Sequence, residues 1–280
     1  MGDVNTSFLK DKNFWVRLAA GIVMCIVLIT VFVLGGDVLL IFLCLLSIVG
    51  LWELYRALKM GINWLTAVGY LAVIAHYVFL RMGWLDKLIL VYAAALVLIL
   101  AGFVFTYPRY SLSRMFVSYF GIFYVGVALS FIYLLRIYDP GGSFLVWLIV
   151  FSAWGCDIFA YLFGNLFGRH KLVPKLSPHK SVEGAAGGLV CAMILAAVYG
   201  AIVAKYIPDI SLVFLKFAVA VLLGAAAGQI GDLAASAIKR KVKIKDYSHI
   251  IPGHGGILDR FDSMIMTAPI IYIIVVYVMV

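Results

Sequence analysis

Residues 236–262 of this 280-residue chain read SAIKRKVKIKDYSHIIPGHGGILDRFD, and the sequence on both sides of them is almost purely apolar. The stretch holds six basic residues, three aspartates and four glycine or proline residues. Charged groups beside apolar helices are energetically costly unless they bind a charged partner. We therefore predict that this stretch binds a phosphorylated ligand through lysine and arginine, and a divalent metal ion through the aspartates.

The composition around this stretch is that of a membrane protein. Hydrophobic residues make up 65% of the chain and charged residues 12%, whereas soluble domains average about 45–50% and about 25%. Strand-type alternation is absent, and the apolar runs are about 20 residues long, which is the length of a helix that crosses a bilayer. The sequence therefore predicts an all-α, polytopic integral membrane protein.

Breaks in the apolar pattern divide the chain into nine predicted helices. Glycine, proline, asparagine and aspartate mark most of the breaks. The weakest break lies near residues 81–87, so eight helices are the alternative. The predicted helices cover roughly residues 14–34, 38–58, 63–81, 84–106, 113–136, 143–167, 182–206, 210–238 and 257–280.

The distribution of basic residues predicts the orientation of these helices. With nine helices, 17 of the 22 lysines and arginines fall on the side of the N-terminus and 5 on the other side. Basic residues concentrate on the cytoplasmic side of membrane proteins, which predicts a cytoplasmic N-terminus, a location in the cell (inner, cytoplasmic) membrane and a site facing the cytoplasm. Such a face attracts anionic membrane lipids and nucleotides. Nucleic acid is excluded as a partner because no soluble basic domain exists to hold it.

The two parts of the chain differ in polar content. Residues 1–140 are interpreted as scaffold helices, with Glu53 and Arg56 near a predicted membrane interface. Residues 141–280 carry nearly all of the polar chemistry and are predicted to form the catalytic region. Its glycine-lined helices are also compatible with a homodimer.

Helical spacing places several polar residues on one stripe. Asp232, Ser236, Lys239 and Lys243 follow one another at intervals of four, three and four residues. An isolated charge within an apolar helix costs about 2.5–3.5 kcal/mol on insertion scales. Asp232 is therefore predicted to have a role in the site. The alternative is an internal ion pair between Asp232 and Lys239.

Two aspartates at the entrance of the last helix complete a candidate metal site. Asp259 and Asp262 are three residues apart, so both carboxylates face the same way. Together with Asp232 they suit a Mg²⁺ ion that keeps waters and phosphate ligands, and a second cation is possible. The alternative is capping of the helix N-terminus by acidic residues. Gly255 and Gly256 are candidates to present backbone N–H groups to phosphate.

A third polar region runs from Asp157 to Glu183. Ser177 and Pro178 are predicted to be the N-cap and the first residue of a helix. Glu183 is predicted either to orient Lys180 or to bind a ligand. This region falls on the same predicted membrane face as the stretch 236–262.

The stretch 236–262 resembles the signature of the phosphatidate cytidylyltransferases, also called CDP-diacylglycerol synthases. The segments DIFAY from Asp157 and SPHKSVEG from Ser177 resemble further motifs of that family. Here His179 replaces a commoner lysine and Ser181 a commoner threonine. The lost charge leaves the role of His179 open, and that of His254 is open as well. The resemblance is strong over residues 150–265.

The resemblance implies a reaction and a set of residues. CTP and phosphatidic acid would give CDP-diacylglycerol and pyrophosphate, with attack of the lipid phosphate on the α-phosphate of CTP and no dedicated general base. The implied catalytic residues are Asp232, Lys239, Arg240, Asp259 and Asp262, with Asp232, Asp259 and Asp262 as metal ligands. The implied substrate-binding residues are Ser236, Lys245, Gly255, Gly256, Arg260, Ser177, Lys180, Glu183 and Asp157.

Two other classes of membrane protein compete with this interpretation. The CDP-alcohol phosphotransferases also place aspartates in membrane helices, but their Asp-Gly-x-x-Ala-Arg pattern is absent from this sequence. Anion or phospholipid transporters commonly show two similar halves with polar groups near the midplane, whereas the charges here cluster on one face without an evident repeat.

Overall fold

A computed structural model describes residues 12–139, 141–208 and 210–279 of the chain. Within these residues, nine helices are long and apolar enough to cross a membrane. We number them α1 (Lys12–Leu34), α2 (Gly36–Ala57), α3 (Trp64–Arg81), α4 (Leu88–Phe105), α5 (Leu112–Arg136), α6 (Gly142–Phe167), α7 (Val182–Val203), α8 (Val213–Lys241) and α9 (Leu258–Ile274). The prediction of an all-helical bundle with nine spans is confirmed, and most bounds agree within a few residues.

The weakest predicted break is a true break between helices. Helix α3 ends at Arg81, and Gly83 has a φ of 71°, a left-handed conformation that glycine adopts without steric cost. A short 3₁₀ turn, Leu85–Lys87, then leads into α4. The eight-helix alternative is therefore wrong.

Several helices contain wider or tighter turns. Residues Ile122–Val127 within α5 and Phe151–Gly155 within α6 are π-helical, and the chain after α9 continues as a π-helical segment, Val275–Met279. A 3₁₀ turn, Ala204–Tyr206, follows α7. π-Helical turns are frequent at functional sites, and the one in α6 ends two residues before Asp157.

The structure contains a small antiparallel β-hairpin that the sequence did not predict. Strand β1 (Lys171–Val173) pairs with strand β2 (Ser177–Ser181) in the connection between α6 and α7. The predicted helix start at Ser177 and Pro178 is therefore wrong. Ser181 is the N-cap of α7, because its backbone is extended and its hydroxyl accepts a hydrogen bond of 3.1 Å from the Gly184 N–H.

Small residues bring the helices of the C-terminal part close together. Helix α8 packs against α7 and α9. A Cβ atom added at Gly228 would lie 2.6 Å from Thr267 Oγ1, and one at Gly224 would lie 2.6 Å from Ile271 Cδ1. Only glycine permits this approach of α8 to α9. These glycines are used within the chain, and the predicted homodimer stays a prediction.

Candidate active site

The charged stretch of the sequence forms a folded loop between α8 and α9. Helix α8 ends at Lys241, and Lys243 follows it with a φ of 60°. Lys243 is therefore outside the helix, and the predicted stripe ends at Lys239. Further along, Gly255 has a φ of 86° and pairs with Ile251 in an isolated β-bridge. The loop thus folds back on itself before α9 begins.

Two adjoining cavities lie between this loop and the helices. The acidic cavity has a volume of about 420 Å³, and five carboxylates contribute to its wall, namely Asp157, Asp232, Asp246, Asp259 and Asp262. The basic cavity has a volume of about 490 Å³ and is lined by Arg17, Lys245, His249, His254 and Arg260, among others. Asp246, His254 and Arg260 line both cavities. The predicted combination of carboxylates and basic groups is therefore brought together in space.

An apolar groove opens beside the two cavities. It has a volume of about 580 Å³ and runs along the lipid-facing side of α1, with Ile22, Ile26 and Ile29 in its wall. His254 lines this groove as well as both cavities. An apolar surface and charged surfaces thus lie side by side at His254.

Three of the carboxylates are close enough to repel one another. Asp157, Asp232 and Asp262 interact through their charges across the acidic cavity. Carboxylate oxygens are the ligands that Mg²⁺ prefers, and it commonly takes one or two of them together with waters and substrate phosphates. In the described part of the chain, no three His, Cys, Asp or Glu side chains form a complete metal site. The fit to Mg²⁺ therefore rests on the donor chemistry of these carboxylates.

Asp259 is engaged by the protein on both of its oxygens. Oδ1 accepts a hydrogen bond of 2.6 Å from Lys239 Nζ, and Oδ2 accepts bonds from the backbone N–H groups of Tyr247 (2.8 Å) and Gly256 (3.0 Å). The Asp259 side chain is only 2% exposed. The metal role predicted for Asp259 would require one of these bonds to be exchanged. The N–H of Gly256 was predicted to bind phosphate, but it donates its hydrogen bond to Asp259 instead.

Tyr247 fastens the loop to α8. Its hydroxyl donates a hydrogen bond of 3.3 Å to the Ala235 carbonyl, and the Lys239 ammonium lies 5.5 Å from the centre of its ring. Burial, together with the nearby carboxylate of Asp259, raises the pKa of the Tyr247 phenol above its ordinary value. The phenol therefore stays protonated and keeps its donor role.

Asp232 has a partner on the hairpin. Its Oδ2 forms an ion pair with Lys180 Nζ of β2, and its Oδ1 accepts a hydrogen bond of 3.4 Å from Ser236 Oγ. The alternative of an internal pair between Asp232 and Lys239 is wrong, because Lys239 pairs with Asp259 instead. Lys180 and Ser236, both predicted to bind substrate, line neither cavity and instead contact Asp232.

The remaining predicted residues lie at different distances from the cavities. Glu183 accepts hydrogen bonds from the N–H groups of Arg169 (3.1 Å) and His170 (3.2 Å) and from His170 Nδ1 (2.6 Å), so it holds the turn before β1 rather than Lys180. The Arg240 guanidinium is exposed and donates to backbone carbonyls. Ser177 and Arg240 line neither cavity, whereas Lys245, Gly255 and Arg260 line the basic cavity.

Buried polar atoms without a partner lie at the cavities. Among the described residues, the buried side-chain atoms that form no hydrogen bond are His76 Nε2, Tyr124 Oη, His254 Nδ1 and Arg260 Nε. His254 and Arg260 line both cavities, whereas Tyr124 and His76 line neither. Such atoms are rare in folded proteins and usually have a ligand, ion or water as partner. Tyr124 interacts with the charges of Asp262 and Asp232. His254 and Arg260 therefore offer unpartnered polar atoms to the candidate site.

Sequence reasoning missed Glu53. It was interpreted only as part of the scaffold near a membrane interface, but it is completely buried and bonds to the loop and to the start of α9. An isolated carboxylate within an apolar helix was the available signal. Arg17 and Tyr124 were also missed, and nothing in their sequence neighbourhoods distinguishes them. Asp246 lies within the stretch 236–262 but was not selected as a site residue.

Comparisons with known proteins agree on one family. The sequence model described as "Cytidylyltransferase family" matches residues 15–278. The phosphatidate cytidylyltransferase of Staphylococcus saprophyticus is 33% identical over 276 residues, which cover 94% of this chain and 99% of the relative. That of Bacillus subtilis is 31% identical over 266 residues, which cover 91% of this chain and 95% of the relative.

Proposed function

The chain belongs to the cytidylyltransferase family, and we propose that it acts as a phosphatidate cytidylyltransferase of the membrane. The reaction joins CTP and phosphatidate to give CDP-diacylglycerol and pyrophosphate. The observation that carries this proposal is the acidic cavity that shares wall residues with a basic cavity and with an apolar groove. One reactant is a soluble triphosphate and the other is a lipid, so the site must accept both from different surroundings.

The basic cavity suits the phosphates of the nucleotide. Lys245, Arg260 and Arg17 in its wall supply positive charge. An arginine guanidinium can donate two parallel hydrogen bonds to two oxygens of one phosphate. The unpartnered Nε of Arg260 is available for such a bond. We therefore assign the triphosphate to this cavity and the reacting α-phosphate to its border with the acidic cavity.

The carboxylates of the acidic cavity would hold Mg²⁺. Asp232 and Asp262 are the proposed ligands, with Asp157 as a third candidate, and a second cation stays possible. When bound, Mg²⁺ would neutralise charge on the phosphates during the displacement. Asp259 is proposed to act in a different way, by fixing Lys239 and the loop in place.

The protein groups themselves position the two substrates. A phosphatidate oxygen is ionised at neutral pH, so its attack on the α-phosphorus needs no general base, and pyrophosphate leaves. Catalysis then depends on alignment and on fixed positive charge. Lys239, whose ammonium is held by Asp259, and Arg260, which borders both cavities, are placed to supply that charge.

Transfer of label tests the reaction. Purified protein in phosphatidate-containing vesicles is given CTP labelled either at the α- or at the γ-phosphate. We expect α-label in chloroform-soluble lipid, and γ-label in released pyrophosphate, only when phosphatidate is present. Uptake of CTP or lipid exchange without any new lipid product would refute the enzyme function and support a transporter.

A further inference from the structure

A carboxylate of the N-terminal part is bound to the loop of the active site. Glu53 lies near the end of α2 and is completely buried. Its Oε1 accepts a hydrogen bond of 2.5 Å from Ser248 Oγ and one of 2.9 Å from the Ile257 N–H, and its Oε2 accepts one of 2.6 Å from the Leu258 N–H. Three donors of one short segment thus converge on one side chain.

Two of these bonds cap the last helix. The first N–H groups of a helix have no partner within the helix, and Ile257, at the N-cap of α9, has no side-chain acceptor. Glu53, which belongs to α2, accepts these bonds in place of an N-cap side chain. Its negative charge lies at the N-terminus of α9, where the helix dipole favours an anion. The position of the start of α9 therefore depends on α2.

The glycine at position 256 is required by the same contact. A Cβ atom at Gly256 would lie 2.5 Å from Glu53 Oε1 and 2.8 Å from its Cδ. The carboxylate thus reaches the backbone at a place where any larger residue would displace it. This explains Gly256 through Glu53 rather than through a phosphate group.

The residues that Glu53 binds are close in sequence to residues of the proposed site. Ser248 lies in the loop, and Leu258 immediately precedes Asp259, which holds Lys239 and the N–H of Tyr247. Arg260 follows in the first turn of α9, and Asp262 begins the second turn. Movement of the start of α9 would therefore move these groups together relative to Asp232 on α8.

We propose that Glu53 is a positioning residue for cytidylyl transfer, which holds residues 248–258 against α2 so that the groups of α9 face those of α8. The proposal rests on the proposed function for its kinetic readout. Glu53 lines neither cavity, so it acts through the residues that it binds and not on the substrates. A misplacement of about 1 Å in such a site can cost about 10²-fold in rate.

Glu53→Gln is the principal test variant, with Ser47→Ala as its matched control. The amide presents one acceptor and one donor, so it cannot accept all three bonds. Ser47 is equally buried in α2, but its hydroxyl bonds to Tyr77, away from the loop. Hydrogen exchange of the peptide 247–258 reports on docking without any substrate, and kcat and KM per folded molecule report on the site.

We expect Glu53→Gln to elute like the parent protein and to melt below it, because buried donors lose their acceptor. It should exchange faster in residues 247–258 and lose about 10- to 100-fold in kcat with a smaller change in KM. Glu53→Asp, which keeps both oxygens, should recover part of kcat. Ser47→Ala should leave exchange and kcat unchanged. A parent-like kcat with parent-like exchange in Glu53→Gln overturns the proposal, as does faster exchange spread evenly over all helices.

A second variant covers failure of Glu53→Gln to fold. Ser248→Ala removes one donor and leaves the two capping bonds, so it should fold, exchange faster around residue 248 and lose a few-fold in kcat. Parent-like behaviour of Ser248→Ala in that case overturns the proposal. If the parent protein itself makes no CDP-diacylglycerol, the proposed function fails, while the exchange data still decide whether Glu53 docks the loop.

Discussion

Lys239 Nζ lies 2.6 Å from Asp259 Oδ1, and both residues are buried. The bond joins the end of α8 to the first turn of α9, with the loop of the active site between them. Since both charges are removed from water, each depends on the other. Lys239 and Asp259, which lie near the two ends of the stretch 236–262, are thus in direct contact.

Separating this pair should destabilise the protein. Lys239→Met leaves the Asp259 carboxylate buried without its cation, and we expect a loss of about 3–5 kcal/mol in stability. The double variant Lys239→Met/Asp259→Asn removes both charges and should recover much of that loss, but not activity. Thermal unfolding in detergent together with the CTP transfer assay measures both. A double variant with parent-like activity would show that the pair is only structural.

Removing the charge of Asp262 should abolish turnover without unfolding. Asp262→Asn keeps the volume of a residue that lines the acidic cavity, so we expect kcat to fall by about 10²-fold or more, equivalent to about 2.7 kcal/mol of barrier. Asp37→Asn is the control, because Asp37 pairs with Arg81 in an exposed position. Equal activity of the two variants would contradict a role of Asp262 in the site.

The activity should depend on a divalent cation. The carboxylates of Asp157, Asp232 and Asp262 repel one another unless positive charge lies between them. We expect EDTA to stop label transfer and added Mg²⁺ to restore it. The same protein should also melt at a higher temperature with Mg²⁺ than with EDTA. Undiminished turnover after exhaustive chelation would exclude the metal from the mechanism.

The loop between α8 and α9 should face the cytoplasm. Ile250 in this loop is 47% exposed, and Met82, in the connection predicted to lie on the opposite side, is 54% exposed. In a variant without native cysteines, a membrane-impermeant maleimide should label Ile250→Cys in inside-out vesicles and Met82→Cys in right-side-out vesicles. The reverse pattern would disprove the orientation inferred from the basic residues.

The helices and the main groups of the site were accessible from sequence, for physical reasons. A bilayer demands about 20 apolar residues per span, so the spans are visible without tertiary information. Asp232, Asp259 and Asp262 were identified because a charge in apolar surroundings needs a partner. Both signals are local; the nine spans are confirmed, and the three aspartates line one cavity, while their catalytic roles stay predictions.

The errors concern partners that are distant in the chain. The local spacing offered Lys239 to Asp232, but the fold gives Asp232 the Lys180 of the hairpin. Ser177 and Pro178 satisfied the rules for a helix start, yet strand pairing with β1 prevails there. Periodicity within one helix cannot report which other segment packs against it, and the role of Glu53 was hidden for the same reason.

The capping of α9 by Glu53 has a consequence for biosynthesis. The carboxylate and the Leu258 N–H are 205 residues apart, so a ribosome makes the acceptor long before its donors. Until α9 enters the membrane, α2 carries a charge that lacks these two backbone partners, and insertion of the last helix supplies them. Assembly of the enzyme therefore waits until residue 258 has been made, and a nascent chain that stalls before residue 257 leaves Glu53 without these two partners.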